Sequence, residues 1–199
     1  NKNIYQRNKI TASFVVKKIF SDNGEEGLAV IQSEENDNID SIHQKIYNQV
    51  SSCRSEKKDG STESMDLFNK MPRFISKTVV SFVCFLDRHG WVPQSFIETD
   101  PYYCSVVLTN LGSIKLHSGY HHLTNWGTNS VFVAVGEKKL RPFYDDDGNI
   151  TMKDSLDIGL TVDERIADGY YYSKTVSLLK KLLENPELLE LDMNKEVEY

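Results

Sequence analysis

A short apolar run near the middle of the chain places the strongest constraint on its fold. Residues Val131 to Val135 are apolar at every position. A strand that is apolar on both faces is typical of the interior of a sheet, where both faces are covered. We therefore expect a fold built around a central strand at this place.

The remaining segments predict a mixed α and β order. Alternating or β-rich patterns indicate strands at 9–20, 27–32, 103–108 and 157–162, and helical apolar spacing indicates helices at 40–53, 65–86 and 170–183. Asn38 or Asp40 is a candidate N-cap of the first helix, and Pro72 divides the second helical segment in two. The predicted fold class is α/β in the α+β two-layer sense, with a mixed β-sheet covered by helices.

Composition predicts one globular domain over residues 1–199. The chain is 39% hydrophobic and 26% charged, which is enough to bury a core. A formal net charge of -6 argues against nucleic acid as a partner, because phosphate backbones are held by many Lys and Arg side chains. The longest apolar stretch, Val79 to Leu86, is too short to span a membrane. Three widely spaced cysteines fit no disulfide framework, so we expect a soluble protein of the reducing cytoplasm.

Two segments are weak candidates for metal binding. The run from Asp145 to Gly148 lacks the spaced ligands and the distal Glu of a calcium loop, so it predicts a hairpin turn. His121 and His122 are adjacent, and neighbouring side chains of an extended chain face opposite ways, which argues against a shared zinc ion. No metal site is predicted.

The most informative stretch lies near the C-terminus. It reads Leu160-Thr161-Val162-Asp163-Glu164-Arg165-Ile166-Ala167-Asp168-Gly169, and the helix after it ends in Leu182-Leu183-Glu184-Asn185-Pro186. This stretch resembles the C-terminal motif of the dihydrolipoyl acyltransferases of 2-oxo acid dehydrogenase complexes. In that family a strand leads to Asp-His-Arg-x-x-Asp-Gly, and a helix ends in Leu-Leu-Glu-x-Pro. Every signature position matches except one, because the family's histidine falls at Glu164.

A second patch supports the resemblance. Val106 to Gly112 is similar to the family's strand that ends in Ser or Thr, then Ser or Asn, Leu and Gly. The family's hydroxyl falls at Thr109, and Asn110 and Gly112 complete the patch. The resemblance covers most of the chain, and from it we expect the given sequence to lack the family's N-terminal strand and helices, a lipoyl domain and its linker. The chain is most similar to free-standing bacterial acyltransferase-subunit homologues with the same Asp-Glu-Arg-Ile substitution.

The resemblance implies a fold like that of chloramphenicol acetyltransferase, and it implies a reaction. In the family, a neutral imidazole deprotonates a thiol or hydroxyl acceptor, the acceptor attacks the thioester of acyl-CoA, and a Ser or Thr hydroxyl stabilises the oxyanion. It also implies a homotrimer with active sites at subunit interfaces. Coenzyme A enters as the acyl-CoA substrate, opposite a small thiol, amine or hydroxyl acceptor.

The exchange of histidine for Glu164 puts this activity in question. A glutamate of ordinary pKa, about 4.3, is a poor base toward a thiol of pKa about 8.5. Pairing with Arg165 would weaken the carboxylate as a base further, whereas burial at a trimer interface would strengthen it. The sequence is therefore compatible with a working or weak acyltransferase and with a non-catalytic homotrimer that acts as a ligand sensor or scaffold.

The other site candidates have structural alternatives. Arg165 and an aspartate such as Asp163 are expected to form a buried pair that fixes the turn, and Asp168 to cap the helix that begins near Gly169. Thr109 could simply bond the backbone. His121 or His122 is a candidate substitute base or a hydrogen-bonded interface histidine. Cys104 is expected to be a buried thiol that points away from Thr109 by strand alternation.

Overall fold

The computed structural model describes residues 6–19, 21, 24, 26–55 and 70–198. The strands are β1 Ile10–Lys17, β2 Glu26–Ser33, β3 Val106–Asn110, β4 Val131–Val135, β5 Lys139–Tyr144, β6 Ile150–Ser155 and β7 Ile158–Val162. The α-helices are α1 Ile39–Arg54, α2 Arg73–His89, α3 Gln94–Thr99 and α4 Gly169–Glu184, and short 3-10 helices cover Pro101–Tyr103, Leu111–Ile114 and Pro186–Glu190. The predicted α+β class is confirmed.

Five strands form the main sheet, in the order β2-β1-β3-β4-β7. Strands β1, β3 and β4 are parallel to one another, and the edge strands β2 and β7 are antiparallel to their neighbours. Strand β4 lies between β3 and β7, which confirms the central strand that its apolar run predicts. Strands β5 and β6 pair separately as a two-stranded hairpin.

Helix α1 covers one face of the sheet at the β1–β2 edge. Val16, Ala29 and Cys53 are buried together, and Phe14 and Val50 pack against them. The helix begins where its sequence predicts. The side chain of Asn38 accepts a hydrogen bond from the Ser41 backbone, while Ser41 Oγ accepts one from the Asn38 backbone. This reciprocal cap satisfies two backbone donors that a helix start otherwise leaves unpaired.

The strand predicted at 103–108 starts later than expected. The Asp100 side chain accepts a hydrogen bond from the Tyr102 backbone at 2.9 Å, which closes a 3-10 turn over Pro101–Tyr103. Cys104 therefore precedes β3, and the prediction that strand alternation points it away from Thr109 was wrong. It is nevertheless buried, as expected for a structural thiol.

The segment 54–63, whose Lys-, Ser-, Asp- and Gly-rich composition predicts a loop, lies mostly outside the described residues. The same is true of the first half of the helical segment predicted at 65–86. The part after Pro72 is helix α2. The predicted turn at 145–148 connects β5 and β6, because Asp145 exchanges backbone hydrogen bonds with Gly148 and Asn149.

In the described ranges, no three His, Cys, Asp or Glu side chains form a group that could hold a metal ion. Nor is any helix within these ranges long and apolar enough to cross a membrane.

Candidate functional site

Thr109 lies near the carboxyl end of β3, beside a cavity on the face of the sheet opposite α1. In the sheet register Val107 pairs with Phe132 and Thr109 pairs with Ala134, so these four side chains share one face. Val107, Phe132 and Ala134 are buried and Thr109 is half-buried. They form the floor of a cavity of about 260 Å³. The prediction that the Thr109 hydroxyl belongs to a site remains a prediction, but the residue does line a cavity.

The loop after β3 closes one side of this cavity. A Cβ atom at Gly159 would overlap the carbonyl oxygen of Gly119, and one at Gly136 would overlap the Ser118 backbone nitrogen. Glycine at these positions lets the loop backbone lie directly on β7 and on the end of β4. The loop therefore packs closely on the sheet, and its residues Gly119, Tyr120 and His121 line the cavity.

The start of the same loop is held by the patch that resembles the acyltransferase family. The Asn110 side chain accepts a hydrogen bond from the Ser113 backbone at 3.1 Å and caps the 3-10 helix Leu111–Ile114. At Gly112, an added Cβ would lie 2.7 Å from the carbonyl oxygen of Gly136. Asn110 and Gly112 thus shape the backbone that follows Thr109.

His121 is packed against the cavity floor. Its ring lies flat on Phe132, with centroids 4.0 Å apart and planes 6° apart. Its Nδ1 lies 2.7 Å from the backbone oxygen of His122, and its backbone N–H donates to Thr161 Oγ1 at 3.4 Å. The His122 ring stacks on His121 at 5.1 Å and is exposed to solvent, but it does not line the cavity.

The charged turn after β7 holds Glu164 at the surface. Arg165 donates two side-chain hydrogen bonds to the Asp163 carboxylate, at 2.7 and 2.6 Å. This guanidinium lowers the pKa of Asp163, and the carboxylate in turn raises the pKa of Arg165. The pair exists as predicted, but it is not buried, because 84% of the Arg165 side chain is exposed and only Asp163 is enclosed. Glu164 is exposed between them.

Asp168 and Gly169 start helix α4. The Asp168 side chain accepts a hydrogen bond from the Tyr171 backbone at 3.0 Å, which confirms the predicted cap. Tyr172, one turn into the helix, donates its hydroxyl to the Asp163 backbone oxygen at 3.0 Å. The Tyr172 bond ties the helix to the turn and the Asp168 bond caps the helix, so in this protomer Asp163 and Asp168 hold the backbone on either side of Glu164. Gly169 is the first residue of the helix.

Within one protomer, Thr109 and Glu164 lie at opposite ends of the sheet. Thr109 pairs with Ala134, which pairs with Gly159, and Glu164 follows five positions later. At about 3.3 Å per residue this is a separation of roughly 16 Å along the strands, in addition to two strand spacings across the sheet. The turn at Asp163 and Arg165 instead lines a second groove, of about 1150 Å³, which Arg7 and Lys9 also line.

The structure therefore places Thr109 and His121 around one cavity, and within one protomer it separates Thr109 from the turn at Glu164. Phe132, the platform under His121, is a site residue that sequence reasoning missed. Its only signal was membership of an apolar strand, and every residue of that strand carries the same signal.

One family model matches the C-terminal part of the chain. Residues 103–191 match the 2-oxoacid dehydrogenases acyltransferase (catalytic domain) family model, so the match includes Thr109, His121 and the turn at 163–169. Among curated protein sequences, none matches the chain significantly.

Solved structures with this fold include three dihydrolipoamide acetyltransferases or their complexes. A probable dihydrolipoamide acetyltransferase from Listeria monocytogenes is 16% identical with a TM-score of 0.58, over 99% of this chain and 62% of that one. The Azotobacter vinelandii enzyme, studied for the roles of a serine, a histidine and an asparagine in catalysis, is 13% identical with a TM-score of 0.57, over 94% and 58%. The cubic core of a pyruvate dehydrogenase complex is 14% identical with a TM-score of 0.57, over 93% of this chain and 58% of that one. The chain thus spans about three fifths of the length of each.

Proposed function

We propose that this chain transfers acyl groups from acyl-CoA, because its residues 103–191 match the 2-oxoacid dehydrogenases acyltransferase (catalytic domain) family model. The acceptor is a small molecule with a reactive thiol, amine or hydroxyl group. The observation that carries the proposal is Thr109. Thr109 lies near the end of β3, within residues 103–191, and lines the same cavity as His121. A hydroxyl there can donate to the oxyanion of a tetrahedral intermediate.

The spacing of the three residues investigated in one solved neighbour supports the choice of residues. In the Azotobacter vinelandii enzyme the serine precedes the histidine by 52 positions, and the asparagine follows the histidine by four. Here Thr109 precedes Glu164 by 55 positions, and Asp168 follows Glu164 by four. The proposal assigns the oxyanion role to Thr109 and places Glu164 and Asp168 at the turn that faces it.

That facing arrangement requires a second subunit. Because Thr109 and Glu164 lie at opposite ends of the sheet in one protomer, we propose a homotrimer in which the turn of one subunit approaches the Thr109 cavity of the next. Exposed apolar surfaces support assembly. On helix α2, Phe74 is 73% exposed, and on the hairpin Tyr144 and Ile150 are 70% and 60% exposed. Apolar surfaces of this kind commonly mark protein interfaces.

The acyl-CoA substrate needs few cations, because one diphosphate is satisfied by two or three basic side chains. Arg7, Lys9 and Arg165 all line the larger groove, together with the carboxylates of Asp87, Glu98 and Asp163. Arg7 and Arg165 already donate to protein groups, Arg7 to backbone carbonyls and Arg165 to Asp163. We therefore place the CoA phosphates at this groove as part of the proposal, with Lys9 as the most available cation.

A second candidate function is a non-catalytic homotrimer that senses a ligand or serves as a scaffold. The exposure of Glu164 favours it, because a solvated carboxylate is a weak base for a thiol or hydroxyl. In this case the cavity binds its ligand without turnover.

A CoA-release assay separates the two candidates. Thiol release from acetyl-CoA is followed with and without acceptors for the wild-type chain, Glu164→Ala and Glu164→His. Acceptor-dependent release by the wild type supports the enzyme, and its loss in Glu164→Ala would end the pseudoenzyme reading. No release by the wild type, together with release by Glu164→His, would establish a pseudoenzyme that retains the rest of the site.

A further inference from the structure

Helix α2 turns a carboxylate toward the protein and its apolar side toward solvent. The Asp87 side chain accepts hydrogen bonds from the Tyr103 hydroxyl at 2.7 Å and from the Gly127 backbone at 3.2 Å, so this edge of the helix faces the body of the protein. Phe82 is exposed and lies about 140° around the helix from Asp87. None of the residues of α2 is buried. A helix that packs on a core has the reverse arrangement, with its apolar side inward.

The exposed apolar side chains of α2 form one continuous face. Phe74, Ile75, Val79, Phe82 and Phe85 fall within about 140° of the helix circumference, and all five are exposed. Soluble proteins rarely leave a contiguous apolar patch of this kind uncovered, and such patches mark sites where a protein or a membrane binds. We therefore ask which of the two surfaces covers this face.

Two polar side chains lie inside the apolar face, and both bond the helix backbone. Thr78 Oγ1 donates to the Phe74 backbone oxygen at 2.9 Å, and His89 Nδ1 lies 2.7 Å from the Phe85 backbone oxygen. A polar group that has its hydrogen-bond partner within the helix costs less to remove from water. An apolar environment can therefore cover the face despite these two residues.

Trp91 extends the face beyond the end of the helix. Gly90 has a φ of 72°, and the Trp91 backbone N–H donates to the Leu86 oxygen at 2.9 Å. This turn places the Trp91 ring centroid 5.0 Å from that of His89 and 6.2 Å from that of Phe85. Trp and Phe are typical of helices that lie at the boundary between water and lipid.

Basic side chains line one flank of the apolar face. Arg73, Lys77 and Arg88 lie within about 60° of one another around the helix, and Lys70 precedes it. All four are exposed, and among the described residues none of them forms an ion pair. The one carboxylate of α2, that of Asp87, is directed at the protein body. This local positive charge contrasts with the formal net charge of -6 of the whole chain.

Charge favours a membrane over a second copy of the chain. Antiparallel pairing of α2 with α2 of another copy would bring the two basic flanks together, and like charges repel. An anionic lipid surface attracts the same flank, and its acyl chains accept the aromatic side chains. The helix has 17 residues, and within the described ranges no helix is long and apolar enough to cross a membrane. The geometry is that of a helix lying along the surface.

We propose that α2 and Trp91 dock on the surface of a membrane that contains anionic phospholipids. The aromatic face enters the boundary between headgroups and acyl chains, and the flanking cations contact lipid phosphates. Assembly of subunits then depends on other surfaces, such as the hairpin of β5 and β6. The inference does not rest on the proposed acyltransferase function, because neither Thr109 nor Glu164 belongs to this face.

Vesicle co-sedimentation tests the charge requirement. The 199-residue chain, without acyl-CoA, is sedimented with vesicles of phosphatidylcholine or with vesicles of equal parts phosphatidylcholine and phosphatidylglycerol. Arg73→Gln with Lys77→Gln removes two cations from the flank. Lys180→Gln with Lys195→Gln removes two exposed cations elsewhere, so both double variants have the same net charge.

We expect the wild type to bind the mixed vesicles and to bind the neutral ones much more weakly. The flank variant should bind the mixed vesicles roughly 30-fold more weakly, because each Lys or Arg near an anionic surface contributes about fivefold. The control variant should bind like the wild type.

A second pair of variants tests the apolar face. Phe82→Ser removes an aromatic side chain that is 59% exposed, and Tyr47→Ser removes one on α1 that is 62% exposed. Phe82→Ser should weaken binding to the mixed vesicles by about 10- to 100-fold, whereas Tyr47→Ser should bind like the wild type. Because both side chains are exposed, circular dichroism and light scattering should give the wild-type fold and molar mass for both variants.

Tryptophan fluorescence locates the contact. The chain has two tryptophans, Trp91 and Trp126. Emission of the wild type should shift to shorter wavelength on the mixed vesicles, and the shift should be absent in Trp91→Phe.

Several results would overturn the inference. They are a wild type that does not sediment with the mixed vesicles, equal binding to neutral vesicles, equal losses in the two charge variants, and a wavelength shift that persists in Trp91→Phe. A changed molar mass of Phe82→Ser would show that a second copy covers the face. None of these measurements involves CoA release, so the proposed acyltransferase function is tested separately.

Discussion

Replacing Asp168 tests whether this residue is a helix cap or a catalytic group. Its carboxylate accepts the Tyr171 N–H at 3.0 Å at the start of the 16-residue helix α4. Replacing an N-cap by alanine typically costs about 1 kcal/mol, and the lost charge at the helix N-terminus adds about 0.3–1 kcal/mol. We expect Asp168→Ala to lower the unfolding free energy by about 1–2 kcal/mol.

Asparagine is the matched control for this change. Asp168→Asn keeps an acceptor oxygen for the Tyr171 N–H and loses only the charge, so it should cost about 0.3–1 kcal/mol. For a domain of this size 1 kcal/mol corresponds to a shift of about 2–4 °C in melting temperature. Circular dichroism melts at one fixed protein concentration measure both variants, because assembly makes the melting temperature depend on concentration.

The outcome distinguishes the two roles. If Asp168→Ala melts with the wild type, or if Asp168→Asn is as unstable as Asp168→Ala, the cap does not hold α4 and the reasoning is refuted. A stable Asp168→Asn variant that has lost CoA release would show that the charge acts in the reaction.

Three further predictions concern the fold and assembly. Hydrogen bonds from Lys45, Ser41 and the Glu34 backbone lower the pKa of Asp37 from 3.8 to about 2. The ionised Asp37 carboxylate therefore stabilises the fold fully above about pH 4, and this stabilisation is lost as the pH falls towards 2. The difference in melting temperature between the wild type and Asp37→Asn should shrink over that pH range. Gly159→Ala places a methyl group against the Gly119 backbone and should lower the free energy of unfolding in urea by about 1–3 kcal/mol. Gly169→Ala, which has open space around the added methyl group, should not lower it. Equal effects of the two substitutions would contradict the close packing of the loop. Light scattering should give about 68 kDa, three times the 22.8 kDa of one chain, and a strictly monomeric species would remove the shared site.

Local chemistry explains which elements the sequence predicts well. Helix α1 is anticipated almost to the residue, because its cap at Asn38 and its apolar spacing both act within a few positions. The hairpin turn at 145–148 is equally local. The late start of β3 shows how two local signals compete. Tyr102 and Tyr103 favour a strand, but Asp100 and Pro101 form a turn first.

The candidate site is predictable only in part, because its geometry depends on strand order and loop packing. The sequence identifies Thr109 and the turn at Glu164 through resemblance, yet their separation follows from the pairing of β3, β4 and β7. The pair of Arg165 with Asp163 is predicted, but its exposure depends on what surrounds it. The position of His121 on Phe132 depends on a loop that folds back across β4, and no short sequence pattern encodes that contact.

The central claim is that the Thr109 hydroxyl stabilises the oxyanion of an acyl transfer from CoA. CoA release by Thr109→Val and Thr109→Ser tests it most directly, since valine keeps the shape and removes the hydroxyl, while serine keeps the hydroxyl. The account predicts that Thr109→Val loses roughly 10² to 10³ in kcat and that Thr109→Ser retains most of the wild-type rate. A Thr109→Val variant that turns over as fast as the wild type would contradict it.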